Sequence, residues 1–184
     1  MRQQYEELER NGAIWKGAVA GVVGGLVASW VMNGFQAGLS KASEAVAGPE
    51  GRGRSRKKGR SQQQSGGEDA TMKAAEAISE AVLDRTLTKK EKRTAGPVLH
   101  YAFGSTVGAV YGAIAELAPR STTAWGLPFG AAVWLGADEM AVPMFGLSKS
   151  PREYPASTHA SALAAHLVYG LTTDLVRRAV RAAL

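Results

Sequence analysis

The sequence predicts an all-α protein: a polytopic membrane bundle of about four transmembrane helices, with an additional amphipathic helix on the membrane surface. Lysine and arginine are strongly segregated, since thirteen of the 22 lie in 41–93 and none lies in 17–40, 94–119, 121–148 or 155–176. A Lys or Arg at the centre of a bilayer costs roughly 2.5 to 3.5 kcal/mol, so membrane insertion explains this pattern. At about 1.5 Å per residue, each stretch without Lys or Arg is also long enough to cross a hydrocarbon core of about 30 Å.

Four segments precede the second span. Residues 1–13 are predicted to form a short amphipathic helix, and 14–40 the first transmembrane helix. Residues 41–68 are rich in Gly, Pro, Ser, Gln and Arg and bury too little apolar surface to offset their ordering entropy, so we expect a basic flexible tether. Residues 69–93 are predicted to form an amphipathic helix. Its apolar positions are Met72, Ala75, Ile78, Val82 and Leu83.

Residues 94–184 are predicted to form a three-helix transmembrane region. Pro97 is typical of a helix start, and Pro119 of the residue that follows a helix end, so the second span lies between them. The third span is predicted to begin near Thr122. The fourth ends at Val176, where three arginines follow within five residues, as expected at a membrane boundary.

Charge also predicts the orientation and limits the classes of partner. The loops 41–93 and 149–154 hold fifteen Lys and Arg residues, so the positive-inside rule places both in the cytoplasm and both termini outside. The bilayer is the expected partner, with anionic lipid headgroups at the basic tether, and other membrane subunits or a second copy of the chain are the further candidates. No nucleic acid partner is expected.

The composition excludes several kinds of catalytic site, and the sequence lacks the motifs of several others. The chain has no cysteine, which excludes disulfides, thiolate metal sites and cysteine nucleophiles. It shows no phosphate loop, nucleophile elbow or catalytic-triad spacing. We therefore expect a protein that is not an enzyme, with no catalytic residue, bound metal or cofactor.

Two glycine ladders at GxxxG spacing predict close helix packing. Each ladder places glycine along one face of a span, and in lipid such faces allow close approach of backbones. Packing within the chain is the preferred interpretation, and self-association is the alternative. The ladders are Gly17, Gly21 and Gly25 in the first span, and Gly104, Gly108 and Gly112 in the second.

The second half of the chain resembles one family. The resemblance rests on the stretches GPVLHYAFGSTVGAVYGAIAE and WGLPFGAAVWLGADEMAVPMFGLSKSPREYPASTHASALAAHLVYGLTTDLVRR, and it is clearest in ADE, AVP and HLVYG. They resemble the YagU-like bacterial inner-membrane proteins, a domain of unknown function, and the resemblance runs from the first span to Arg178. It implies a multi-pass protein of the bacterial inner (cytoplasmic) membrane. The basic tether GRGRSRKKGRSQQQSGG is longer than the loop that the resemblance implies, so no property of the family is assigned to it.

Ionisable side chains inside the predicted spans form the candidate site. Asp138 and His166 each lie roughly 12 Å below the same surface, so we expect them to meet. Pro143 has no amide hydrogen for the carbonyl of Glu139, which predicts a loosened, kinked turn beside the carboxylates. The predicted polar cluster comprises Asp138, Glu139, His100, His159 and His166.

Three functions remain open for this cluster. The preferred one is a structural or accessory component of a membrane assembly, in which the carboxylates fix the helix register. The first alternative is a proton-linked channel, transporter or pH-response protein that uses Asp138 or Glu139 with His166. The second is a His/carboxylate metal site, although no single helix has a metal-ligand spacing. Glu116 and Asp174 are expected to be solvated near the opposite surface.

Overall fold

The computed structural model describes residues 2–46 and 68–184, of which 2–3, 5–9, 68–69 and 121 are described by their backbone alone. The described residues contain helices and turns and no β-strand, so the predicted all-α class is confirmed. In chain order the helices are α1 (Arg2–Val46), α2 (Glu68–Leu83), α3 (Lys89–Leu117), a 3-10 helix (Pro119–Gly126), α4 (Leu127–Val133), a π-helix (Trp134–Ala141), α5 (Val142–Met144), a 3-10 turn (Pro151–Glu153) and α6 (Ala156–Ala183).

Helix α1 joins segments that the sequence divides. It begins at Arg2 and runs without a break to Val46, so the segments predicted at 1–13 and 14–40 form one helix. It also takes up the first residues of the predicted tether, because Lys-Ala-Ser-Glu-Ala-Val favours helix and contains neither glycine nor proline. The rest of the tether, at 47–67, lies outside the described residues.

The predicted helix at 69–93 is wrong in its second half. Helix α2 ends at Leu83, and Asp84 adopts a left-handed φ of 51°. Thr88 then caps α3: its backbone N–H donates to Glu91 Oε2 at 2.8 Å, and the Glu91 N–H donates to the Thr88 hydroxyl oxygen at 3.3 Å. This reciprocal capping box starts α3 well before Pro97, which lies inside the helix.

Helices α2 and α3 form an antiparallel hairpin. The Lys92 ammonium lies 2.5 Å from a Glu76 carboxylate oxygen, and the Ser79 hydroxyl donates to the Arg85 carbonyl at 2.9 Å. Further from the turn that connects the helices, Gly96 of α3 packs against Met72 of α2. Residue numbers in the contacting pairs therefore fall along α2 as they rise along α3, which makes the two helices antiparallel.

Two described helices are long and apolar enough to cross a membrane, within Arg10–Val46 and Lys89–Leu117. The four-span count stays a prediction. The stretch predicted as the third span is divided into the 3-10 helix, α4, the π-helix and α5, and so is not one regular α-helix.

The chain divides into two compact units. The first comprises Met1–Met32, Tyr101–Ala131 and His166–Leu184. The second comprises Asn33–His100 and Ala132–Ala165. The second unit therefore includes α2 and the part of α3 that precedes Tyr101, whereas the rest of α3 belongs to the first unit.

Backbone contact between glycines closes the first unit. A Cβ added at Gly21 would overlap the carbonyl oxygen of Gly108, and one added at Gly108 would overlap that of Gly21. Both ladders therefore face each other within the chain, and side chains are excluded from this seam. The other two pairs are Gly17 with Gly112 and Gly25 with Gly104.

The first unit has a small, polar interior and a large, apolar exterior. Its completely buried side chains are Ala20, Ala28, Thr173 and Asp174. A protein surrounded by water buries its larger aliphatic side chains instead. The exposed apolar residues of this unit include Trp15, Val19, Val22, Val23, Leu26 and Trp30 on α1, Phe103, Val110, Ile114 and Leu117 on α3, Trp125 and Leu127 after α3, and Leu171 and Leu175 on α6.

Candidate functional site

The two predicted intramembrane carboxylates lie on the π-helix of the second unit. At its end, the Val142 N–H donates to the carbonyl of Ala137, five residues back. Pro143 follows directly and has no N–H to offer the Glu139 carbonyl, so α-helical bonding cannot resume at that residue. The wider π turn therefore falls on Asp138 and Glu139. Single π turns inside α-helical segments are frequent at functional sites.

Glu139 and His159, two members of the predicted cluster, form a close polar contact. His159 Nδ1 lies 2.6 Å from Glu139 Oε1, and His159 Nε2 lies 2.9 Å from the carbonyl oxygen of Pro151. The carbonyl can only accept, so Nε2 carries a hydrogen. The contact at Nδ1 then requires a second proton, held either by the imidazole ring or by the carboxyl group. The pair therefore stores one transferable proton.

This pair opens onto a small cleft with a volume of about 50 Å³. A cavity of this size has room for a few water molecules. Its lining includes a lysine and several hydroxyl-bearing residues in addition to the carboxylates. The lining side chains that carry polar groups are Asp138, Glu139, Ser148, Lys149, Tyr154, Thr158 and His159.

The remaining predicted histidines lie elsewhere. His100 is half-buried near the middle of α3 and belongs to the second unit. His166 is buried in the first unit, where its backbone carbonyl lies against Gly130 of α4. The predicted contact between Asp138 and His166 stays a prediction. Within 2–46 and 68–184, no three histidine or acidic side chains converge as ligands of a metal ion.

A second polar site, which the sequence analysis does not predict, lies in the first unit. We call it the ionic cluster; it comprises Glu116 of α3 with Asp174, Arg177, Arg178 and Arg181 of α6. Arg181 binds Glu116 with two bonds, Nε to Oε1 at 2.9 Å and Nη2 to Oε2 at 3.3 Å. Arg177 Nη1 lies 3.9 Å from the same Oε1. These contacts join α3 to α6.

Asp174 is the centre of the ionic cluster and is 0% exposed. It accepts hydrogen bonds from Arg177 Nη2 at 3.1 Å and Arg178 Nε at 2.8 Å. The Tyr111 hydroxyl also donates to its Oδ1, at 3.0 Å. The expectation that Asp174 is solvated is therefore wrong. The sequence does carry the signal, because arginines three and four residues after an aspartate share its helical face.

Aromatic rings cover the ionic cluster. The Arg177 guanidinium lies 5.8 Å from the ring centroid of Tyr111, and the Arg178 guanidinium 5.3 Å from that of Trp125. Phe129 stacks on Tyr111 with centroids 4.1 Å apart. These rings lower the polarity around the charged groups, and low polarity strengthens the ion pairs that the rings cover.

The comparisons with known proteins define the family and nothing finer. No curated protein and no solved structure matches the chain. Residues 71–175 match the family described as "Protein of unknown function (DUF1440)", a stretch that holds α3, the π-helix with its carboxylates, His159 and Asp174. Because this match covers more than half of the chain, the protein belongs to that family of unknown function.

Proposed function

We propose that the chain is a multi-pass integral protein of the bacterial inner membrane that acts as a structural or accessory component of a membrane assembly. The observation that carries the proposal is the distribution of side chains in the first unit. Small or polar groups fill most of its interior, where Met32, Tyr111 and Tyr169 are the larger buried apolar or aromatic side chains, while tryptophan, valine, leucine and phenylalanine cover its exterior. Lipid is a suitable solvent for such a surface, and water is not.

The four-span arrangement and the YagU-like resemblance extend this proposal. In it, α1, α3, the interrupted helix from α4 to α5, and α6 each cross the bilayer. Broken helices occur at membrane depth where they line a polar cavity, which suits a π-helix beside a cleft. The loops 41–93 and 149–154 face the cytoplasm, as the positive-inside rule requires.

The accessory role is supported by an exposed apolar stripe on α1. Val19, Val22, Leu26 and Trp30 recur at helical spacing and remain exposed. Such a stripe suits contact with a helix of another membrane protein as well as with lipid. The close packing at the glycine seam and the ion pairs of the ionic cluster suit a scaffold.

Photo-crosslinking in membranes tests the accessory role. A photoreactive residue at Leu26 is expected to give a discrete adduct with another protein, whereas one at Val110, exposed on α3, serves as the matched control. Purification in mild detergent should return the same partner. A monomer with no co-purifying protein and no adduct at Leu26 would contradict the role. Release of the chain from membranes by alkaline carbonate, without detergent, would contradict the membrane location itself.

A second candidate function is favoured by the Glu139–His159 pair. A proton held over 2.6 Å beside a wet cleft suits a proton-linked channel, transporter or pH-response protein. Other charged or titratable groups facing the cleft are Asp138, Lys149 and Tyr154.

Proton flux into liposomes tests this second candidate. Glu139→Gln and His159→Gln are expected to reduce the pH-dependent flux, and Asp138→Asn and His166→Ala extend the test to the other predicted residues. Glu153→Gln, in the exposed turn beside the cleft, is the control. Flux equal to that of the unaltered protein in all four variants would reject a proton-linked function.

A further inference from the structure

Arg178 is held rigidly at the edge of the ionic cluster. Its Nε donates to Asp174 Oδ2 at 2.8 Å, and its Nη2 donates to the carbonyl oxygen of Thr122 at 3.0 Å. The ring of Trp125 lies against the guanidinium. Despite these three contacts, 45% of the side chain is exposed. Arg178 thus presents part of a fixed guanidinium to its surroundings.

The turn that holds Arg178 has a strained backbone. Ala124 and Trp125 adopt left-handed φ values of 56° and 57°, and Gly126 continues at 77°. Left-handed backbone is unfavourable for residues with a Cβ, and such strain collects at functional sites. Here the strained turn brings the Trp125 ring and the Thr122 carbonyl to the same side chain. The strained turn therefore holds Arg178 in position.

The ionic cluster carries an uncompensated positive charge. Its two carboxylates, Glu116 and Asp174, face three arginines. Arg177 is buried, and Arg181 is 30% exposed and bound through two bonds to Glu116, so Arg178, which is 45% exposed, offers the most accessible guanidinium of the three. Its bonds to Asp174 and Thr122 use two of the five N–H donors of a guanidinium. Arg120, on the same turn, is exposed and adds a further positive charge.

We propose that Arg178 and Trp125 form a binding site for the phosphate of an anionic phospholipid headgroup. A planar guanidinium fork matches phosphate oxygens, and a half-exposed tryptophan beside it is suited to the headgroup layer. The excess positive charge favours a lipid with a net negative headgroup over a zwitterionic one. This inference rests on the proposed membrane location. It concerns a site separate from the basic tether.

Lipid titration of the full chain in detergent tests the site. Short-chain phosphatidylglycerol is the anionic probe, phosphatidylcholine the zwitterionic one, and inorganic phosphate the free anion. We expect tight binding of phosphatidylglycerol only, weakened about fivefold by Arg178→Gln, the effect of one basic residue at an anionic surface. Arg178→Lys should also weaken binding, because it keeps the charge and loses the fork. Arg152→Gln, which removes an exposed arginine from the second unit, should bind as the unaltered chain does.

A second variant keeps the test independent of folding. Trp125→Leu leaves the bond between Arg178 and Asp174 in place and should still weaken phosphatidylglycerol binding, with the helical circular dichroism unchanged. Unaltered binding in both Arg178→Gln and Trp125→Leu would overturn the site. Equal binding of inorganic phosphate, lost in Arg178→Gln, would overturn lipid as its source. In either case the chain would still require detergent, so this failure is distinguishable from failure of the membrane location.

Discussion

The Tyr111 hydroxyl of α3 donates a 3.0 Å hydrogen bond to Asp174 of α6, a carboxylate that solvent does not reach. The bond joins residues 63 positions apart in the chain. Together with the two arginines that bind the same carboxylate, it fixes the end of α6 against α3. A buried charge in this position is stabilising only while all its partners remain in place.

Asp174→Asn is therefore expected to destabilise the protein strongly. The substitution leaves the buried Arg177 with only the more distant Glu116, 3.9 Å away, as counter-charge, and removal of one partner from a buried pair costs about 3 to 5 kcal/mol. Unfolding in detergent with increasing denaturant measures the loss. Tyr111→Phe, which removes one hydrogen bond, should cost only about 1 kcal/mol. Equal stability of Asp174→Asn and the unaltered chain would show that the ionic cluster does not hold the unit together.

Gly21→Ala is expected to lower stability through the glycine seam. The added methyl group would overlap the Gly108 carbonyl, and overpacking of this kind costs about 1 to 3 kcal/mol. Gly34→Ala, on the same helix but with nothing within 4 Å of the new Cβ, is the matched control. Thermal unfolding in the same detergent compares them. A larger loss in Gly34→Ala than in Gly21→Ala would contradict the packing of α1 on α3.

His159→Ala is expected to loosen the turn at Pro151–Glu153. The imidazole ring bridges Glu139 and the Pro151 carbonyl, so its removal frees the turn from the π-helix. Limited trypsin digestion at Lys149 and Arg152 should become about tenfold faster, since one charge-assisted hydrogen bond contributes on this scale to local opening. Ser161→Ala, further along α6, is the control. Cleavage at the rate of the unaltered chain would show that the pair does not restrain the turn.

Glu91→Gln is expected to destabilise the hairpin of α2 and α3 in a pH-dependent way. The Arg85 side chain and then Thr88 donate hydrogen bonds to the Glu91 carboxylate, which lower its pKa from 4.5 to about 2. A lowered folded-state pKa means that the ionised group contributes stability above pH 4.5, and that this contribution is lost as the pH falls towards 2.

Melting temperatures at several pH values check this prediction. At pH 7 the Glu91→Gln variant should melt below the unaltered chain, and the two should converge near pH 2. Glu80→Gln, an exposed carboxylate on α2, should show no such convergence. A constant difference between Glu91→Gln and the unaltered chain from pH 7 to pH 2 would rule out ionisation as the cause.

Features with a strong physical penalty could be predicted from the sequence. Charge segregation predicted an all-helical chain, and the spacing of Gly21 and Gly108 indicated faces on which backbones approach. Pro143 indicated a disturbed turn next to the carboxylates, and the π-helix lies there. Each of these follows from a local rule with a cost of a kilocalorie or more per residue.

The directions of side chains and the conformations of turns were harder to predict. Depth along the helices predicted that Asp138 and His166 meet, but it could not predict that Glu139 points at His159, because a π turn rotates every residue that follows it. The capping box of Thr88 and Glu91 was readable as T-x-x-E and was missed. The left-handed pair Ala124 and Trp125 has no sequence signal, since neither residue type favours that conformation.

The arrangement around Asp174 also bears on how α6 would enter the membrane that we propose for this chain. Two arginine partners follow Asp174 at the third and fourth positions of the same helix, so the carboxylate has counter-ions within its own segment. In the proposed membrane protein, α6 could therefore insert with this negative charge already matched, and its contact with Tyr111 would form afterwards, when the helices pack together.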